Sequence, residues 1–122
     1  QLFIKNLVAK NNQLLIDSKL IEVIQNTPKK SIINGMNAMM NRSDHSRSLS
    51  QLDCPVLFIL GDKDEHYSKN EIFNQASKCK LAQVEVIKNS GHLSMVENET
   101  AFRITIQKFL SFFDVLKGST HN

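Results

Sequence analysis

Pro55-Val56-Leu57-Phe58-Ile59-Leu60-Gly61-Asp62-Lys63-Asp64 is the stretch from which the rest of the chain can be read. An unbroken apolar run rich in strand formers, bounded by Pro and Gly, predicts a strand buried on both faces. Strands of that kind belong to parallel sheets, which need a crossover to bring the chain back. The continuation supplies one. Ser68-Lys69-Asn70-Glu71 is a capping box in which Ser68 and Glu71 satisfy each other's backbone amides, so a helix starts there, turns Ile72, Phe73 and Ala76 inward and ends near Lys80. Val84-Glu85-Val86-Ile87 predicts a second short strand and Asn89-Ser90-Gly91-His92 a loop. A final helix from near Asn98, a plausible N-cap, aligns Phe102, Ile106, Phe109, Phe113 and Leu116 on one face before Gly118 stops it. Strand, helix, strand, helix is a right-handed crossover unit of an α/β sheet with a terminal helix packed on it.

Toward the N-terminus the pattern changes to helical. Leu7 and Val8, Leu14 and Leu15, then Leu20, Ile21, Val23 and Ile24 cluster as on an amphipathic helix. Thr27-Pro28 predicts the start of another, with Thr27 as N-cap and Pro28 at the first helical position. That helix runs to about Arg42 and gathers Ile32, Ile33, Met36, Met39 and Met40 on a broad face, suited to filling a core and less commonly to an adaptable substrate-contacting wall. A polar, serine-containing stretch then leads to Cys54. The chain divides into a helical segment over 1–49 and an α/β segment over 50–122.

Composition limits the function classes. The 122 residues, 41% apolar and 22% charged, suit one ordinary globular domain, and no uninterrupted apolar run is long enough for a membrane span. The net charge of +3 is concentrated in residues 1–50, where seven Lys/Arg face three Asp/Glu for a net of +4, whereas residues 51–122 hold eight against nine for a net of −1. Without an arginine-rich helix or interleaved aromatics, this excess reads as solvated helix faces, not as a nucleic-acid surface. Cys54 and Cys79 have neither CxxC spacing nor a partner His pair, so reduced thiols are expected in place of zinc or a disulfide. No metal or cofactor is called for. No secretory signal is visible, so a cytoplasmic location is expected, and the Gln1 start is consistent with a processing or truncation boundary.

Ligands in open parallel sheets gather outside the carboxyl ends of the strands. The loop after the first strand carries Asp62, Asp64, Glu65 and His66; the loop after the second carries His92. Adjacent parallel strands place these loops side by side. A carboxylate on one imidazole nitrogen fixes the tautomer and leaves the other nitrogen to take a proton from Ser, Cys or water. A polar turn with an incidental histidine has the same spacing, and Asp62 and Asp64 both lie near the strand end. Tyr67 either lines the pocket or caps the turn. His45, His66 and His121 read as exposed residues.

Residues 55–64 followed by Val84-Glu85-Val86-Ile87-Lys88-Asn89-Ser90-Gly91-His92-Leu93 resemble the C-terminal part of an α/β-hydrolase. In that family a strand ends in a Gly-x-x-Asp turn that supplies the triad acid, and the last strand is followed by Gly-His with the triad base. Asp64 and His92 match those positions. Glu97 falls where the segment after the family histidine often has Glu, the terminal aromatic helix matches the one that closes the fold, and Ala38 to Asp44 resembles the end of the helix joining the mobile cap to this strand. The resemblance covers residues 28–117. It implies catalytic Asp64 and His92, a small-molecule substrate with an ester or similar acyl bond, no cofactor, and neither nucleic acid nor membrane as partner.

The family's nucleophile sits in a Gly-x-Ser-x-Gly elbow upstream of the acid and histidine. The only glycines are Gly35, Gly61, Gly91 and Gly118, so this chain has no elbow, and Ser94 lacks the strained turn that would present it. The expected whole is therefore a C-terminal fragment of a hydrolase, with the nucleophile upstream and the fragment alone inactive. The resemblance leaves open epoxide or halide displacement by an Asp nucleophile, carbon–carbon hydrolysis and perhydrolysis. A binding or interaction protein that keeps the pocket without the chemistry is the alternative from a different class. In an isolated fragment the outer edge of the first strand would expose unpaired backbone groups, which predicts cover by a second copy or by a rearranged N-terminal helix.

Overall fold

The computed structural model describes residues 6–118, with the side chains of 6–12 and 20–113. Two turns of 3₁₀ helix, Lys10–Asn12 and Ser46–Gln51, punctuate a chain of helices α1 (Gln13–Asn26) and α2 (Lys29–Met40), strand β1 (Val56–Gly61), helix α3 (Lys69–Ala76), strand β2 (Ala82–Ile87), and helices α4 (Ser94–Glu97) and α5 (Glu99–Gly118). It is a mixed α/β arrangement on a two-stranded parallel sheet. No helix among the described residues is long and apolar enough to cross a membrane.

The strands pair in register from Val56 opposite Ala82 to Gly61 opposite Ile87. Val56 N–H donates to the Leu81 carbonyl at 3.0 Å and Asp62 N–H to the Ile87 carbonyl at 2.9 Å, so the ladder runs the full length of both strands. Helix α3 is the crossover that a parallel pair requires, and it packs against both strands. Its start is the expected capping box: Glu71 N–H donates to Ser68 Oγ at 3.2 Å and Ser68 N–H to Glu71 Oε2 at 2.7 Å. Its end comes at Ala76, earlier than Lys80, because Lys78 and Cys79 donate to Gln75 and Ala76 three residues back and tighten the chain out of the α-helix.

The capping box has a pH signature. Hydrogen bonds from the Ser68 hydroxyl, then from its backbone N–H, hold the Glu71 carboxyl below the usual glutamate range. A depressed folded-state pKa contributes stability above the unfolded value and loses it as pH falls through the folded value. Ser68→Ala should lower Tm by a few degrees at neutral pH and flatten the acid-side fall in helix stability, as followed by circular dichroism against pH.

Several expectations are corrected by how little covers the sheet. Val56 to Ile59 are half-buried, not buried on both faces; in β1 only Leu60 and Gly61 are enclosed. Phe73 is exposed, while Ala76 is buried and Ile72 half-buried. Ile32, Ile33, Met36, Met39 and Met40 fill no core: α2 contains no buried residue, and Met40 is 81% exposed. Thr27 closes α1 instead of opening α2, because its hydroxyl donates back to the Val23 carbonyl at 2.6 Å; Pro28 then occupies the N-cap position of α2, which ends at Met40, short of Arg42. Leu7 and Val8 precede the first helix and are not part of it. Cys54 is exposed and Cys79 half-buried, both as free thiols.

The short α4 was not anticipated. After it Asn98 Oδ1 accepts the Ala101 N–H at 3.2 Å, the expected cap, and α5 extends through Gly118. On α5, Phe102, Ile106, Phe109 and Phe113 are half-buried, and the last two rings meet edge to face at 4.9 Å. The Leu14, Leu15 and Leu116 side chains and His121 lie outside the described residues. The sheet has two strands, so the outer edge of β1 has no strand partner among the described residues. The most enclosed positions, Leu60, Gly61, Ile87, Ser90, Gly91 and Ser94 with Val8 and Ala9, gather at the carboxyl ends of the strands.

Candidate active site

The two strands deliver their loops to one place. Gly61 ends β1 against the backbone of the second loop: a Cβ on it would lie 2.1 Å from the Gly91 oxygen and 2.3 Å from the Ser90 oxygen. Only a residue without a side chain permits this approach. The chain then turns tightly, with Asp64 N–H donating to the Gly61 carbonyl at 3.2 Å and Lys63 N–H to the Ser90 carbonyl at 2.8 Å. On the other side Asn89 takes a left-handed conformation, φ 56°, which Asn tolerates better than most residues and which bends the chain after β2 toward Gly61.

These turns separate the roles of the two aspartates. Asp62 Oδ1 accepts the Ser90 N–H at 3.3 Å and ties the loops together. Asp64 Oδ2 lies 3.0 Å from His92 Nδ1, and its Oδ1 accepts the N–H groups of His66 at 2.8 Å and Tyr67 at 3.1 Å. Both oxygens of Asp64 are engaged, and its side chain is 5% exposed against 36% for His92. The carboxylate is thus fixed from behind and the imidazole reaches toward solvent. Because a carboxylate only accepts, a neutral His92 completes the bond with its proton on Nδ1, which leaves Nε2 with a free lone pair. That arrangement can accept a proton at Nε2 and stabilise the resulting imidazolium.

Two further rings frame His92. Tyr67 stacks at 5.7 Å between centroids with 24° between planes, and His66 meets it edge-on at 5.3 Å. Tyr67 therefore faces the imidazole through its ring while its backbone N–H donates to Asp64 in the turn, the second of the two roles expected for it. His66 is exposed, as expected, yet belongs to this cluster; its place next to Tyr67 in the turn was the available signal. Glu65 is exposed and makes no contact with His92 among the interactions described. Among the described residues no group of three or more His, Cys, Asp or Glu is arranged to hold a metal ion.

Beside Asp64 lies an open depression of about 630 Å³, bounded by residues 9–11 on one side and 63–65 on the other, with Asn89 between. Its near wall is a segment that the sequence did not connect to the site. Leu93 N–H donates to the Leu7 carbonyl at 3.1 Å, Ala9 N–H to Glu97 Oε2 at 2.9 Å, and Asn12 Nδ2 to the Asn89 carbonyl at 2.8 Å. A backbone amide such as that of Ala9 carries no sequence signal.

No protein-family model matches the chain, and no curated protein does either.

Proposed function

We propose that the chain is the C-terminal part of an α/β-hydrolase that cleaves an ester or similar acyl bond, with His92 as its base and acid and Asp64 as the carboxylate that orients it. The observation that carries this reading is the 3.0 Å contact between His92 Nδ1 and Asp64 Oδ2, made by loops that follow two neighbouring parallel strands. The nucleophile is a hydroxyl supplied from outside these 122 residues, which contain no Gly-x-Ser-x-Gly elbow.

The proposed chemistry assigns one proton to one atom at each step. As the hydroxyl oxygen attacks the acyl carbon, His92 Nε2 accepts its proton and Asp64 stabilises the imidazolium. Collapse of the tetrahedral intermediate breaks the bond to the leaving alkoxide, which takes the proton from Nε2. Water then repeats the cycle on the acyl-enzyme and releases the acid. The turnover of p-nitrophenyl acetate by the gene product extending N-terminal of Gln1 tests the assignment. Hydrolysis abolished by His92→Ala supports it. Undiminished turnover in that variant rules it out, and a longer product that binds acyl compounds without turning them over favours a binding protein instead.

A further inference from the structure

We infer that Glu97 is a positioning residue for His92: its carboxylate clamps the histidine loop to the segment preceding α1 and so holds the imidazole against Asp64. The inference rests on the reading of Asp64 and His92 as orienting acid and base. Glu97 makes no hydrogen bond to the ring among the interactions described and does not line the depression, so its action is through the backbone on either side of His92.

One carboxylate receives three donors from two distant parts of the chain. Gly91 N–H donates to Glu97 Oε1 at 2.8 Å, while Ala9 N–H and Asn12 Nδ2 donate to Oε2, each at 2.9 Å. The second hydrogen of Asn12 Nδ2 serves the Asn89 carbonyl, so the same amide holds the start of the histidine loop. Leu93 N–H, on the far side of His92, is held by the Leu7 carbonyl. The residues before and after His92 are thus both fixed to residues 7–12, one of them only through Glu97.

Packing makes the clamp tight. Gly91 and Ala9 are buried, and a Cβ on Gly91 would meet the Ala9 nitrogen at 2.7 Å and Glu97 Oε1 at 3.1 Å. The carboxylate accepts the N–H groups of buried Gly91 and Ala9, and losing it removes the protein partner of both. Glu97 is itself anchored, because it ends α4 immediately before Asn98, whose N–H donates to the Ser94 carbonyl and whose side chain caps α5. A carboxylate is required and not merely a polar side chain: Gln offers one acceptor oxygen, and its amide nitrogen would face a donor.

The test uses the 15N-labelled chain, reading amide exchange at Ala9 and Gly91 together with the His92 Nδ1–H resonance by NMR. Glu97→Gln should speed exchange at both amides by about tenfold or more and abolish the Nδ1–H signal by rapid exchange with water. The amides of His66 and Tyr67, held by Asp64, should keep their shifts. If Glu97→Gln only lowers the unfolding midpoint and leaves the Nδ1–H signal intact, Glu97 is a structural brace and the inference is overturned. Should that variant not fold, Asn12→Ala removes one arm of the clamp and retains the carboxylate. It should speed Gly91 exchange by about threefold and broaden the Nδ1–H line, and an unchanged spectrum overturns the inference equally. Failure of the underlying reading is separately visible, since the unsubstituted chain would then show no Nδ1–H held by Asp64.

Discussion

On the proposed hydrolase reading, Asp64→Asn in a product extended N-terminal of Gln1 is expected to lower kcat/KM for p-nitrophenyl acetate by about 10⁴-fold, with little change in fold. Asn keeps an oxygen for the N–H groups of His66 and Tyr67, which Asp64 Oδ1 accepts at 2.8 and 3.1 Å, so the turn survives. What changes is the atom 3.0 Å from His92 Nδ1. With the amide nitrogen there, the neutral ring must present a lone pair from Nδ1 and carry its proton on Nε2, where it cannot act as a base. Stabilisation of the imidazolium is lost as well. His92→Ala removes the base itself and should cost still more, on the order of 10⁶-fold. Asp62→Asn is the contrast, because Asp62 binds the Ser90 N–H and not the imidazole; its effect should fall mainly on stability.

Gly61→Ala should destabilise the chain by about 3 kcal/mol or more and displace His92 with it, as read by urea unfolding and by the NMR signals of the 89–93 loop. The new methyl would lie 2.1 Å from the Gly91 oxygen and 2.3 Å from the Ser90 oxygen, distances no packed carbon can occupy. Neither oxygen belongs to a flexible side chain that can swing aside. The Ser90 carbonyl is held by Lys63 N–H at 2.8 Å and the Gly91 amide by Glu97 at 2.8 Å, so relief of the clash must break one of the bonds that define the loop. Gly35→Ala is the matched control. Gly35 lies within α2 with nothing within 4 Å of its would-be Cβ, and Ala there should stabilise the helix by about 0.5–1 kcal/mol.

The parts of this fold legible from sequence are those whose signals are local. The apolar run between Pro55 and Gly61, the Ser68/Glu71 reciprocity and the loop beginning at Asn89 each encode their geometry within a few residues, and each forms as expected. The meeting of Asp64 with His92 follows from those pieces, since a parallel pair brings the two carboxyl-end loops together across 28 residues. Thr27 shows where local logic becomes ambiguous: a threonine between two helices can cap the second or bond back to the first, and the bond to Val23 prevails. Burial was least legible. Whether Val56 to Ile59 or the methionine face of α2 is covered depends on which elements pack against them, and a periodic pattern states only that cover is wanted. The clamp at Glu97 was invisible for a related reason: its bond to Ala9 spans 88 residues and uses a backbone amide that every residue except proline possesses.

The central claim, that Asp64 orients His92 as a base, is tested most directly by the ring nitrogens of His92 in the 15N-labelled chain near neutral pH. Orientation by Asp64 predicts that neutral His92 has a protonated, pyrrole-type Nδ1 and an unprotonated, pyridine-type Nε2, and that Asp64→Asn inverts this assignment. A neutral ring with its proton on Nε2 in the unsubstituted chain, or a tautomer mixture that Asp64→Asn leaves unaltered, would contradict it.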